Sequence, residues 1–298
     1  MAKPYRDFSD FLATHFAGKI QKISINAGFS CPNRDGTLGT GGCTYCNNQT
    51  FNPSYCAPSL SVTEQLEEGK RFFARKYPSM RYLAYFQAYT STHGDIERLK
   101  SLYEEALAVD GVVGLIIGTR PDCMPDELLD YLESLAARCF VLVEYGAESS
   151  HDSTLELINR CHTWGQTVEA VNRTAARGIH VGLHMIMGLP GESLEMMLSS
   201  VDALSALPID TVKFHQLQII RGTRLARDIE MGLYDVPRMS VEEYIDLCAM
   251  IVQRINPSIA IERFTSQSPE ELLIYPKWGL KNYQFVNLLH RRLCNAGH

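Results

Sequence analysis

The chain has 298 residues, 45% of them hydrophobic, and a net charge of −6. That is enough to bury a large core as one big domain or two small ones, and the acidic total argues against a nucleic-acid protein unless basic charge gathers on one face. Nine cysteines, an odd number spread over a large chain, read as reduced thiols and ligands and exclude a disulfide framework.

Met1-Ala2-Lys3-Pro4-Tyr5-Arg6-Asp7 runs straight into an amphipathic helix, with no charged-then-apolar leader ahead of it. The longest charge-free apolar run, Gly111 to Gly118, is far short of the roughly 20 residues that cross a bilayer. A cytoplasmic protein without a membrane partner is expected. Strands are predicted at Ile20–Asn26, Tyr82–Tyr89, Val112–Ile117, Phe140–Tyr145, His180–Met187 and Thr211–Gln216, many of them the continuous apolar runs of buried parallel strands. Helices fall between and after them: Val62–Tyr77, Asp95–Val109, Pro125–Arg138, Asp152–Cys161, Thr167–Arg177, Glu192–Leu207 and Val241–Ile255. Ser61 with Glu64, and Ser240 with Glu243, form capping boxes that mark two of the starts. Six βα units predict an α/β fold, a partial (βα)6 parallel barrel that is a three-quarter version of the TIM barrel. Residues 1–19 are expected to form an N-terminal helical extension, 20–220 the barrel core and 221–298 a C-terminal extension packed on it.

The segment after the first strand carries the chemistry. Phe29-Ser30-Cys31-Pro32-Asn33-Arg34-Asp35-Gly36 continues to Gly41-Gly42-Cys43-Thr44-Tyr45-Cys46-Asn47, which spaces three cysteines as C-x11-C-x2-C. Its glycines let the backbone wrap a compact inorganic object. Thiolates select zinc, copper(I) or iron-sulfur clusters. A structural zinc site needs a fourth protein ligand, for which Cys56 is available. An iron-sulfur cluster on three thiolates keeps one iron open to a non-protein molecule, unlike the usual four-cysteine ligation. Cys56, Cys123, Cys139, Cys161, Cys248 and Cys294 read mostly as small buried hydrophobes. Of these, Cys56 and Cys161 are expected nearest the mouth of the barrel.

In α/β barrels the loops at the carboxyl ends of the strands build the site. The cysteine segment lies at that end, and so do Gln87-Ala88-Tyr89, Thr119-Arg120-Pro121-Asp122, Glu144-Tyr145-Gly146-Ala147-Glu148, His184 through Glu192, and His215-Gln216. Tyr89, His93, His215, Gln218 and Arg221 are candidates for a substrate pocket by position. Two basic groups are candidates for nucleic-acid contact: Lys70, Arg71, Arg75, Lys76 and Arg81, and then Lys277, Lys281, Arg291 and Arg292 with Tyr275, Trp278 and Tyr283 as stacking groups. The plainer reading is a solvated helix face and a C-terminal helix packed over the barrel bottom.

With Tyr45 directly before Cys46, the cysteine segment resembles the cluster-binding loop of radical S-adenosylmethionine (SAM) enzymes. It departs from their usual C-x3-C-x2-C spacing in its first gap. The long gap and its Gly-Phe-Ser-Cys-Pro-Asn-Arg-Asp-Gly surround are similar to a bacterial, tRNA-linked branch within the subclass resembling the Elongator catalytic subunit, over about residue 5 to the last helix. The resemblance implies a 4Fe-4S cluster on Cys31, Cys43 and Cys46, with S-adenosyl-L-methionine as second cofactor. It implies a flavodoxin or ferredoxin-type electron donor, and cleavage of SAM to a 5'-deoxyadenosyl radical that abstracts hydrogen from substrate. Gln87 and Ala88, with Tyr89, take the place of the family segment whose backbone meets the amino end of SAM. Glu148 stands at a polar SAM contact, Arg160 at an arginine that bonds the SAM carboxylate, His184 at a ribose contact and Tyr45 beside the adenine. The Gly188-Leu189-Pro190-Gly191 turn is expected to support the adenine through its backbone. The subclass implies tRNA wobble-uridine modification, converting a carboxymethylaminomethyl side chain to aminomethyl. Two alternatives remain open from the residues: the same radical chemistry on a small molecule or protein side chain, and a zinc-stabilised binding module without catalysis.

Overall fold

In the computed structural model, which describes residues 3–47, 53, 55–74 and 80–296, the first half of the chain runs α1 (Phe8–Ala13), β1 (Ile20–Ile25), α2 (Val62–Ala74), β2 (Arg81–Phe86), α3 (Ile96–Ala108), β3 (Val112–Thr119), α4 (Asp126–Ala136) and β4 (Phe140–Glu148). Next come α5 (Asp152–Leu157), α6 (Trp164–Ala175), β5 (His180–Met187), α7 (Leu194–Ser205), β6 (Thr211–Gln216), β7 (Ile219–Ile220), α8 (Arg224–Glu230), α9 (Val241–Arg254), β8 (Ala260–Arg263), β9 (Leu273–Tyr275) and α10 (Asn282–Ala296). The main sheet has the order β1-β2-β3-β4-β5-β6-β8, parallel throughout. This is the expected partial α/β barrel with a seventh strand added. The addition, β8, is four residues long and half charged, so no apolar run announces it. Strands β7 and β9 form a separate antiparallel pair.

Several boundaries moved for local reasons. Helix α5 stops at Leu157, short of Cys161, because Asn159 and Cys161 adopt φ of 54° and 59°, which no α-helix accommodates. Helix α6 begins three residues ahead of Thr167, where Thr163 and Gln166 form a capping box. Strand β2 ends at Phe86, before Tyr89 turns to φ 59°. The expected end of α2 at Tyr77 lies outside the described residues, as do Arg75 and Lys76.

Period-two alternation gives the sheet two faces. The outer face, with Ile117, Val143, Val181, Leu183, Val212 and Phe214, packs under the helices in the main core. The inner face is closed at the bottom by α1, whose Phe11 and Leu12 pack with Leu83, Ile116, Leu142 and Ala260. A bridge from Asp7 to Ile261 ties that plug to β8. Helix α10 packs against α9 instead of under the barrel, with Trp278 and Phe285 against Tyr244. No described helix is long and apolar enough to cross a membrane.

Candidate active site

The cysteine loop is held from three sides. From α2, fully buried Gln65 accepts a hydrogen bond from Asn26 N (2.9 Å) and donates to Asn26 O and Leu60 O (3.0 Å each), fixing where the loop leaves β1. Inside the loop, fully buried Asn33 accepts from Gly42 N through its carbonyl, and its Nδ2 donates to Asn159 O (2.5 Å) and faces Cys43 Sγ at 3.7 Å. Asn159 returns a bond to Gly42 O (2.9 Å). Arg34 Nη2 donates to Cys46 O (2.9 Å). Gly42, at φ 77°, has no room for a side chain, because a Cβ there would lie 2.7 Å from Arg34 Nε.

This packing sets Cys31, Cys43 and Cys46 on one wall of a cavity of about 200 Å³ at the carboxyl end of the barrel. Burial pushes the Cys46 thiol up, and a neighbouring thiolate at Cys43 pushes it further, against the opposing charge of Arg34. Among the described residues no three His, Cys, Asp or Glu side chains converge as on a single ion. The facing wall supplies Arg160 and Glu148. The positive φ of Asn159 and Cys161 turns Arg160 back toward the loop, where its Nη1 faces Cys43 Sγ at 3.6 Å, its Nη2 donates to Gly146 O at 2.6 Å and Glu148 lies at 3.5 Å. Arg160 Nε and Arg120 Nη1 are buried donors without an acceptor. Soft thiols opposite unmet N–H groups fit an iron-sulfur cluster with an acceptor-rich ligand beside it, and Arg160, Glu148 and Gln87 line the same cavity.

Below them lies a layer of buried charge. Glu144, 1% exposed, accepts from both Lys213 Nζ and His184 Nε2 (3.0 Å for the histidine). Burial alone would raise the Glu144 carboxyl, but Lys213, then the His184 bond and Lys22, hold it well below the ordinary carboxylate range. Burial draws Lys213 down to about 8 against the pull of Glu144 and Glu262, so the pair is ionised at neutral pH. Burial, and then Lys213, lowers His184; burial, and then Arg263, lowers His215 well below its usual range. Both imidazoles are neutral at pH 7.

Of the residues expected from sequence, Cys31, Cys43, Cys46, Tyr45, Gln87, Tyr89, Glu148, Arg160, His184, His215 and Gln218 line this one cavity. Three expected residues do not. Ala88 is buried, 1% exposed, outside the cavity lining. His93 bonds Asp35 at 2.8 Å, and Arg221 turns to Glu271 O at 3.4 Å. Nor does the 188–191 turn line it, since Gly188 N instead meets Met197 Sδ at 3.1 Å. His184 is committed to Glu144 through one ring nitrogen. Cys56 is buried against Ser24 O (3.2 Å) and Gln65, its thiol pushed by burial up to about 12, and it stands apart from the other three cysteines. Cys161 Sγ meets Asn33 Oδ1 at 3.2 Å. Sequence reasoning missed Asn33, Arg34, Glu144, Lys213 and Arg263; only the inward alternation of Glu144, Gly146 and Glu148 offered a signal. The first basic group is engaged locally, Lys70 with Glu67, Arg71 with Glu68 and Arg81 with Ala17 O. In the second, Arg292 pairs with Glu242 and Asp246, while Trp278 and Tyr275 bond Met239 O.

Comparison with known proteins gives a consistent answer. Residues 31–204 match the pattern of the Radical SAM superfamily and residues 209–295 that of the Radical_SAM C-terminal domain. The chain is 36% identical to the uncharacterized protein YtqA of Bacillus subtilis, over 99% of this chain and 91% of the relative. It is 32% identical to a tRNA uridine(34) acetyltransferase of Methanocaldococcus infernus, over 67% of this chain but 38% of that protein. Among solved structures, archaeal Elp3 from Methanocaldococcus infernus superposes with a TM-score of 0.69 at 18% identity, over 95% of this chain and 64% of that one, a likeness of fold. The chain belongs to the radical SAM superfamily, as an enzyme whose cofactors are a 4Fe-4S cluster and SAM.

Proposed function

We propose that this enzyme modifies the wobble uridine of tRNA, converting a carboxymethylaminomethyl side chain to aminomethyl, with SAM as the two-electron oxidant and the carboxymethyl unit leaving as glyoxylate when water cleaves the C–N bond. The observation that carries the catalytic half is the meeting of the three loop thiols with Arg160 and Glu148 across one cavity. The tRNA half is supported by the archaeal relative that is a tRNA uridine(34) acetyltransferase. In this reading Cys31, Cys43 and Cys46 would hold the cluster, with SAM bound beside it. Reduced by a flavodoxin or ferredoxin-type donor, the two cofactors would supply the hydrogen-abstracting 5'-deoxyadenosyl group.

The chain's own residues bind, orient and exclude water. Arg160, with its unmet Nε, takes the SAM carboxylate in a charge-assisted bond worth about 1.5 to 3 kcal/mol. Glu148 sets the guanidinium and accepts from the amino or ribose end. Gln87 and Tyr45 complete that side. The His184–Glu144–Lys213 chain keeps a neutral imidazole facing the cavity, with its proton position set by Glu144. The barrel walls hold the reacting carbon near one C–H bond. We assign residues 20–220 as the catalytic core, with 1–19 and 221–298 closing it at the bottom and side.

The test is a comparison of tRNA nucleosides by mass spectrometry in cells with and without the protein. Carboxymethylaminomethyluridine should accumulate, and its aminomethyl product fall, when the protein is absent. Unchanged tRNA overturns the substrate and leaves the same chemistry acting on a small molecule or a protein side chain.

A further inference from the structure

The cavity has a second charged feature, away from the thiols, that begins with a β-bulge. Thr211, Val212 and Lys213 of β6 pair with Ala260, Ile261 and Arg263 of β8, so Glu262 is skipped. Simple alternation would send Arg263 outward with Ile261, which packs in the helix-covered core. The bulge brings two consecutive side chains inward instead. Glu262 reaches Lys22 and Lys213, and Arg263 opens on the cavity. Bulges beside active sites re-aim side chains in this way.

The charges in this layer do not balance. Lys22 pairs with Glu262, and Lys213 with Glu144 and Glu262. Among the described residues no carboxylate forms an ion pair with Arg263. Its Nη2 lies 3.5 Å from His215 Nε2, and its Nε is buried with no hydrogen-bond partner. An inward guanidinium whose buried Nε has no acceptor is costly to keep. Facing a cavity, such a group marks a ligand site, and its planar fork suits a carboxylate. Arg263 lines the same cavity as the thiols, from β8 at one end of the strand order, whereas the cysteine loop follows β1 at the other. A second cavity, of about 340 Å³, adjoins the first through Gln216, Gln218 and Ser266, which line both, and carries Lys277 and Trp278. The thiols do not border that second cavity.

We propose that Arg263 is a specificity-determining residue that binds a carboxylate of the substrate, which reaches it through the cavity walled by Gln216, Gln218 and Ser266. The proposal rests on the reading of the substrate as a carboxymethyl-bearing uridine, whose carboxylate would anchor on Arg263 while the nucleoside occupies the adjoining space beside Trp278.

Anaerobically reconstituted holoenzyme with SAM, titrated with acetate or acetamide at constant ionic strength and followed by thermal unfolding, tests the site without tRNA. Acetate is expected to stabilise the wild type and acetamide is not. Arg263→Gln should weaken the acetate response roughly tenfold or more. Arg263→Lys, which keeps the charge and carries the comparison if the glutamine variant does not fold, should retain it at reduced affinity. Both variants should bind SAM within about twofold of the wild type by equilibrium dialysis. Equal acetate protection in wild type and Arg263→Gln overturns the proposal. So does a fall in SAM affinity with an unchanged acetate response, which would give Arg263 to the SAM carboxylate. Repeating the titration with carboxymethylaminomethyluridine nucleoside separates the two readings: an acetate response without a nucleoside response keeps the Arg263 site and removes the tRNA substrate.

Discussion

Replacing Lys213 with methionine is the sharpest test of the charge layer under the cavity. Lys213 and Glu144 are 2% and 1% exposed, and Glu144 Oε2 accepts from Lys213 and His184 while Oε1 has no partner. Methionine approximates the lysine stem and removes only the ammonium. What remains is a buried carboxylate with neutral donors and only the more distant charge of Lys22, and a buried charge stripped of its main partner costs about 3 to 5 kcal/mol. At roughly 2 to 4 °C per kcal/mol, Lys213→Met should lower Tm by about 6 to 20 °C. The sign of the pH dependence follows. In the wild type the Glu144 carboxyl is held low, so its contribution is present at neutral pH and lost as pH falls through its folded value. In Lys213→Met the largest offset to burial is gone and the folded carboxyl rises, so the destabilisation is largest at neutral pH and shrinks as falling pH protonates Glu144. The double variant Glu144→Gln/Lys213→Met removes both charges and should recover most of the loss. Urea unfolding followed by far-UV circular dichroism at pH 5 and pH 7 measures all three proteins. A single variant within about 1 kcal/mol of the wild type at pH 7, or a double variant no more stable than the single, refutes the reasoning.

Two further predictions concern the upper wall. A Cβ on Gly146 would lie 2.6 Å from both Arg160 Nη2 and Glu148 Oε1; Gly146→Ala should displace the pair and weaken SAM binding roughly tenfold or more with the fold intact, and unchanged SAM affinity in equilibrium dialysis would count against Arg160 as a SAM ligand. His162, 6% exposed, is pushed by burial, and then by Arg160 and Arg120, down to about 3. The unfolded chain takes up that proton below about pH 6.5 while the folded one does not, so stability should fall by about 2 kcal/mol between pH 6.5 and 5. His162→Gln should flatten that limb in urea titrations, and a slope identical to the wild type would contradict the assignment.

The barrel was legible because its strands are apolar runs and its helices begin at capping residues such as Ser61 and Ser240. The thiol triad was legible from spacing and glycines alone. What escaped reading depends on register and backbone conformation. Glu144 and Lys213, 69 residues apart in sequence, meet because both face inward and Lys213 stands one inward position beyond Thr211, which shares the level of Glu144 and Gly182. Arg263 sits in a four-residue strand, and its direction is set by a bulge that no spacing rule announces. Gln87 lines the cavity and its neighbour Ala88 does not, a difference that residue type alone does not announce. Arg160 was found by resemblance, but the left-handed turns at Asn159 and Cys161 that aim it at Cys43 were not.

The central claim is that Cys31, Cys43 and Cys46 alone hold a 4Fe-4S cluster whose open iron takes SAM. Anaerobic reconstitution of the wild type and of single cysteine-to-alanine variants, followed by iron analysis and visible absorbance, and by the paramagnetic resonance of the reduced protein with and without SAM, tests it directly. The wild type and Cys56→Ala should carry about four irons per chain, with a signal that changes when SAM is added. Cys31→Ala, Cys43→Ala and Cys46→Ala should lose the cluster and SAM cleavage. A full cluster in any of those three, or zinc in place of iron in the wild type, would contradict the account.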